Sequence, residues 1–317
     1  MTPEQAQYFA QRFDAVVSNV ERFIQGKDDV VRLALVALLA EGHLLMEDVP
    51  GTGKTSLARS LSASLGLTGS RIQFTPDLLP SDVTGVTVFH QSKDSFEFHP
   101  GPVFANVVLA DEINRASPKT QSAMLEVMAE RTVTVDGRSH PVPRPFLVIA
   151  TQNPVDMDGT YPLPEAQLDR FMMRISVGYP DPAAEVQILK NSHEGRRLED
   201  LKAVSNVDEV TNMIKAAAGV HVADSVLTYI VGIINATRNA AGVRLGSSPR
   251  GGLALMGAAR VRAASRSRHY VTPEDVMALI QPVLAHRLVL APEAIAGGAT
   301  SEQLLAEATR GVPVPQG

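Results

Sequence analysis

Residues 48–55 read Asp-Val-Pro-Gly-Thr-Gly-Lys-Thr and follow the apolar run His43-Leu44-Leu45-Met46. An apolar run entering a glycine-rich turn predicts a buried strand that feeds a phosphate-binding loop. Gly51 and Gly53 let the backbone curl so that several N–H groups converge on one anion. A helix starting near Lys54 adds the positive end of its dipole. The candidate cradle is therefore Pro50, Gly51, Thr52, Gly53, Lys54, Thr55 and Ser56. Lys54 is the cation for the β- and γ-phosphates, and the Thr55 hydroxyl suits Mg²⁺. The strict loop pattern has glycine where this chain has Asp48. The expected explanation is that Asp tolerates unusual backbone angles.

Two more strand ends carry matching chemistry. Asn106-Val107-Val108-Leu109-Ala110-Asp111-Glu112 predicts a buried parallel strand ending in two carboxylates. Ligands of parallel sheets sit at the C-terminal ends of strands. There Asp111 can orient Mg²⁺ and Glu112 can polarise an attacking water. A third strand, Phe146 to Thr151, runs into Gln152-Asn153-Pro154. Asn153 is then expected beside the same site, bonding the water or the γ-phosphate.

These stretches resemble the AAA+ ATPases, and specifically the MoxR family, in the clade marked by a helix-2 insert. Asp111-Glu112-Ile113-Asn114-Arg115-Ala116 and Ala150-Thr151-Gln152-Asn153-Pro154 carry the likeness. Leu163-Pro164-Glu165-Ala166-Gln167-Leu168-Asp169-Arg170-Phe171 is its narrowest signature. Loops of that family commonly share the Glu-Asp-Val-Pro lead-in seen here. The resemblance implies an α/β fold: a P-loop core with a five-stranded parallel sheet flanked by helices, plus an all-helical C-terminal lid.

The same resemblance implies roles for two arginines. Arg170 corresponds to the arginine finger, which reaches the nucleotide of a neighbouring subunit. A planar, permanently charged donor suits a transition state with charge spread over phosphate oxygens. From residue pattern alone the competing reading is a salt bridge to Asp169 or Glu165. Arg250, in Ser247-Ser248-Pro249-Arg250, corresponds to the second sensor, opening a lid helix and pointing back at the nucleotide. Gln25 and Gly26 lie in a bend that the family sets against the adenine ring; the alternative is a plain helix–helix turn around Gly26.

The chain divides into a core over 1–182, a helical lid over 183–290 and a tail over 291–317 with one short helix. Asp181 should cap the first lid helix with Pro182 at its start. Pro282 should kink a late helix. Alternating residues predict hairpins near 85–100 and 131–142. They match either the clade's two inserts, which face the pore of a ring, or ordinary surface hairpins. Arg260, Arg262, Arg266 and Arg268 read as a solvated helix face. Arg115 and Lys119 are candidates for a subunit interface.

With 317 residues, 44% of them apolar, the chain can bury a sizeable core. It has no cysteine, which excludes disulfides and thiolate metal sites. A net charge of −5 argues against a dedicated nucleic-acid binder. The absence of a long apolar run or a leader pattern points to the cytoplasm. The expectation is a Mg²⁺-dependent ATPase working between subunits of a homo-oligomeric ring, six by family precedent. Its implied task is chaperone-like: assembly, activation, or metal or cofactor insertion of client proteins, often with a von Willebrand factor A domain partner. The alternatives are a nucleic-acid ring motor and a slow nucleotide-gated binding module.

Overall fold

The computed structural model describes residues 1–48, 51–153, 159–180, 182–193 and 198–315. Pro50, Pro154 and the Asp181 cap lie outside these residues. Helix α1 (Pro3–Glu21) starts at Thr2, which forms a capping box with Gln5. Its apolar stripe, Phe9, Phe13, Val16, Val17 and Val20, is buried. Gly26, at φ 68, turns the chain into α2 (Asp28–Leu39). Strand β1 (Leu44–Glu47) follows, then α3 (Lys54–Leu65), which Gly66 ends in the left-handed conformation. Next come β2 (Gly69–Gln73), the short α4 (Pro80–Thr84), and the hairpin β3 (Gly85–His90) and β4 (Ser95–Pro100). After β5 (Val107–Asp111) and α5 (Pro118–Glu130) lies a second hairpin, β6 (Thr132–Val135) and β7 (Arg138–Pro141). The core closes with β8 (Leu147–Gln152), α6 (Glu165–Leu168) and β9 (Met173–Ile175).

The sheet has five strands in the order β2-β5-β8-β1-β9, all parallel. Its central strands are apolar on both faces because helices cover both sides. One apolar cluster joins α1, α2 and α3 to one face and continues into the lid. The other packs α5 and the base of the inserts against the opposite face. Both hairpins form as the alternation predicts. Phe98 of the first stacks on His140 of the second, with ring centroids 4.0 Å apart.

The lid comprises α7 (Pro182–His193), α8 (Val207–Ala218), α9 (Asp224–Arg238), α10 (Pro249–Ser265), α11 (Pro273–Met277) and α12 (Ile280–Leu284). A small antiparallel pair, β10 (Val243–Leu245) and β11 (Val289–Leu290), leads to α13 (Pro292–Ala296) and α14 (Ser301–Arg310). Pro282 does more than kink a helix. It has no N–H to donate to the carbonyl of Ala278, and the helix breaks at Ala278–Leu279 into α11 and α12. In the tail, α14 packs on α9 and buries Leu305. The Arg260–Arg268 run is not simply a solvated face. Arg268 forks onto the buried carboxylate of Asp275, and Arg262 lies 3.8 Å from it. Among the described residues no helix is long and apolar enough to cross a membrane.

Candidate nucleotide site

Strands β1, β5 and β8 end together, and their register brings the expected chemistry to one edge. Glu47 pairs with Gln152, and Ala110 pairs with Ala150. Asp48, Asp111, Glu112 and Asn153 therefore follow adjacent strand ends. Gly51 and Gly53 adopt φ 84 and φ 89. A Cβ placed on either would meet no atom within 4 Å, so open space lies over the loop where a phosphate would approach. Gly53 provides no side-chain cap for α3. The first-turn N–H groups of Lys54, Thr55 and Ser56 are then available to an anion. Lys54 Nζ donates to the carbonyl of Asp48 at 2.8 Å, which folds the side chain over the loop.

Asp48 has a different reason to be there from the one its backbone tolerance suggested. It does not adopt a positive φ. Its carboxylate accepts from the backbone N–H of Val177 at 2.5 Å and Gly178 at 2.6 Å, and from Ser176 Oγ at 3.2 Å. The residue fastens the end of β1 to the end of β9, and glycine could not do so. Beside it, Lys27 Nζ donates to the carbonyl of Tyr179 at 2.8 Å. That contact brings the Gln25–Gly26 bend to the loop's own edge of the sheet.

The acid pair is held by residues that sequence reasoning missed. The Thr151 hydroxyl donates to Asp111 Oδ1 at 2.6 Å and accepts from the Glu112 N–H at 2.8 Å. Arg71 donates twice to Asp111 Oδ2, at 2.7 and 3.1 Å. Gln73 and Arg115 donate to Glu112 Oε2 at 3.1 and 3.0 Å. Arg115 thus serves its own acid pair in this conformation. A signal for Arg71 and Gln73 was present: they alternate around buried Ile72 on β2, and Gln73 pairs with Asp111 in register. Thr55 and Asp111 offer hard oxygen donors. Among the described residues no group of three His, Cys, Asp or Glu could hold a metal alone. The donor set fits Mg²⁺, which takes one or two protein oxygens and completes its shell with phosphates and water.

Arg170 and Arg250 lie elsewhere. The N–H of Met172 donates to the carbonyl of His43 at 2.8 Å, so β9 begins where β1 begins. Arg170 precedes that point and sits at the N-terminal edge of the sheet. At ~3.3 Å per strand residue, the loop following Glu47 is more than about 10 Å away along β1. Arg170 is exposed, and Nη1 donates to the carbonyl of Leu125 at 2.7 Å. Among the described residues it pairs with no carboxylate. Asp169 is taken by buried Arg287 and by Ser248 Oγ at 3.2 Å, while Glu165 lies 3.6 Å from Arg244. Burial lowers the Arg287 guanidinium from its ordinary value, and the Asp169 carboxylate works against that shift. Arg250 opens α10, is 64% exposed, and lies 4.0 Å from Asp169. It therefore keeps company with Arg170 and does not point back at the phosphate loop of its own chain.

Comparison with known proteins agrees with this geometry. Residues 43–173 match the family described as ATPase family associated with various cellular activities (AAA), and residues 235–308 match the AAA lid domain. The uncharacterised protein YeaC of Bacillus subtilis is 48% identical over 94% of this chain and 93% of its own length. The chaperone MoxR1 of Mycobacterium tuberculosis is 42% identical over 96% of this chain and 82% of its own. Protein MoxR of Methylorubrum extorquens is 32% identical, covering 89% and 88%. The crystal structure of a candidate ATPase from Cytophaga hutchinsonii superposes with a TM-score of 0.92 at 35% identity, covering 99% of this chain and 98% of that one. The chain belongs to the MoxR family of AAA ATPases and is an ATP hydrolase.

Proposed function

We propose that ATP is hydrolysed between copies of this chain arranged head to tail in a closed ring, six by family precedent, and that the cycle drives a chaperone-like task on client proteins. The observation that carries this reading is the separation of the phosphate loop from Arg170 and Arg250. The loop lies at the C-terminal edge of the sheet and the two arginines at the N-terminal edge. A transition state bound by one copy would receive its arginines from the next, a heterologous contact that closes into a ring when the rotation permits.

Each group then has one job. The loop N–H groups and Lys54 bind and orient the polyphosphate. Thr55 and Asp111 would hold Mg²⁺, which supplies charge neutralisation across the phosphates. Glu112 takes a proton from the attacking water, and Asn153 positions that water or the γ-phosphate. Gln25 and Gly26 lie against the base. Arg170 and Arg250 of a neighbouring copy neutralise charge on the transferred phosphoryl group. MoxR1 is named a chaperone, and this supports a client-directed role in assembly, activation, or metal or cofactor insertion. A von Willebrand factor A domain protein is the proposed partner class, and the cytoplasm, where ATP is supplied, the proposed site of action.

Mixing two inactive variants tests the shared site. Arg170→Ala keeps a sound loop, and Lys54→Ala keeps sound arginines. Each alone should lose turnover, by about 10³-fold or more for Arg170→Ala. Mixed rings should regain activity wherever a sound loop meets sound arginines. Failure of rescue between subunits shown to exchange would reduce Arg170 to a structural residue.

A further inference from the structure

The N-terminal edge of the sheet holds a third arginine that the proposal above does not use. A cavity of about 360 Å³ there is lined by Arg131, Arg170, Arg250 and Arg287, with Glu41 and Asp169 as its carboxylates. Arg287 is buried and paired with Asp169, so its charge is already matched. His43 also borders the cavity and is neutral, its burial holding it down at about 4. The cavity walls thus carry more positive than negative charge and would attract an anion.

Arg131 is placed with unusual definition. It ends α5 in the left-handed conformation, φ 56, and its N–H donates to the carbonyl of Val127 at 2.8 Å. Its guanidinium donates to the Glu41 carbonyl at 2.7 Å and pairs with the Glu41 carboxylate. Glu41 is itself left-handed, at φ 55. Two non-glycine residues in that region, each at a cost of about 1 kcal/mol, persist only where the surroundings over-determine them. Arg170 is referenced to the same helix through the carbonyl of Leu125. Both cations are therefore fixed to the C-terminal half of α5. A guanidinium has five N–H donors, and Glu41 does not use them all.

We infer that Arg131 is a third phosphate-binding cation of this pocket, acting with Arg170 and Arg250 on the nucleotide of a second copy of the chain, with Glu41 holding it in place. The inference rests on the shared-site reading and adds to it a residue with a second task. Arg131 is followed at once by β6, and its carbonyl accepts from the N–H of Val142 just after β7. A phosphate contact at Arg131 would therefore be felt at the base of the second insert hairpin.

Arg131→Asn is the informative variant, because Asn tolerates the left-handed position and keeps the cap while removing the cation. Its melting temperature should stay within a few degrees of wild type. Below the concentration at which subunits assemble, binding of a fluorescent ATP analogue at the loop should be unchanged, and in assembled protein turnover should fall by roughly 10²-fold. Mixing with Lys54→Ala subunits should restore activity. Assembly followed by sedimentation gives a readout apart from turnover. With a non-hydrolysable ATP analogue the variant should need about tenfold more protein to assemble, and without nucleotide about the same as wild type. Rescue of Arg170→Ala but not of Arg131→Asn would leave the shared site standing and overturn the role of Arg131. Rescue of neither would overturn both. An equal assembly defect with and without nucleotide would make Arg131 a structural residue and end the proposal.

Discussion

Glu112 sits at φ 55, ψ 50, a conformation that costs a non-glycine residue of order 1 kcal/mol. The strain is held by the Thr151 hydroxyl under its N–H and by Gln73 and Arg115 on its carboxylate. The backbone turns there just past the end of β5, at the edge of the sheet that also carries the phosphate loop. Glu112→Gln keeps that shape but cannot take a proton. It should bind ATP normally and turn it over at least about 10²-fold more slowly. Turnover near wild type in a coupled phosphate-release assay would remove Glu112 from the chemistry. Asp48 shows what residue-level reading lacks. Its type was visible beside the loop, but its partners, Val177 and Gly178, lie 129 and 130 positions away. No local pattern announces a bond of that range.

At the scale of elements, the last helix matters more than its composition suggests. α14 carries one buried anchor, Leu305, against α9, and Glu302 at its start pairs with Arg174 of β9 at 2.7 Å. Arg174 also reaches Glu47, the last residue of β1 before the phosphate loop, at 3.1 Å. The C-terminal helix is thereby connected to the strand that feeds the loop. Leu305→Ala leaves a cavity in this contact and should lower stability by about 2–4 kcal/mol. Urea unfolding would measure it, and a loss well under 1 kcal/mol would show that α14 rides loosely on the lid. The helix itself was legible from its Thr300–Gln303 capping box and apolar spacing. Its docking was not, because one leucine carries it.

At the scale of the molecule, two buried histidines set an acid limit. His43 Nε2 lies 3.0 Å from the Met128 carbonyl, and its Nδ1 accepts from the Val148 N–H at 3.1 Å, so it ties β1, β8 and α5 together as a neutral ring. His286 Nε2 lies 3.1 Å from the Phe171 carbonyl at the junction of lid and core. Burial lowers them to about 4 and about 3. The unfolded chain takes up these protons near the ordinary value of about 6.5, whereas the folded chain resists them. Stability from both is therefore complete above that pH and declines as pH falls toward 4. The slope approaches about 1.4 kcal/mol per pH unit for each histidine. Urea unfolding at pH 7.5 and pH 5 should show the loss. In His43→Gln the difference should shrink by about one proton's worth, and an unchanged pH dependence would count against His43 as a source.

The sequence by itself determined the phosphate loop, the acid pair, the parallel sheet, both hairpins and the helical lid. Each is written in short-range grammar: glycines at strained turns, apolar runs of strand length, caps and breaks. Only the tertiary structure decided which edge of the sheet each charge occupies. Arg170 and Arg250 stand 80 positions apart in sequence, yet they line one cavity, at the edge away from their own chain's phosphate loop. Arg131 joins them because α5 ends at the edge of the sheet where β9 begins. The reason is physical: strand direction and register convert sequence positions into opposite ends of a sheet, and that conversion exists only once β1, β8 and β9 have paired.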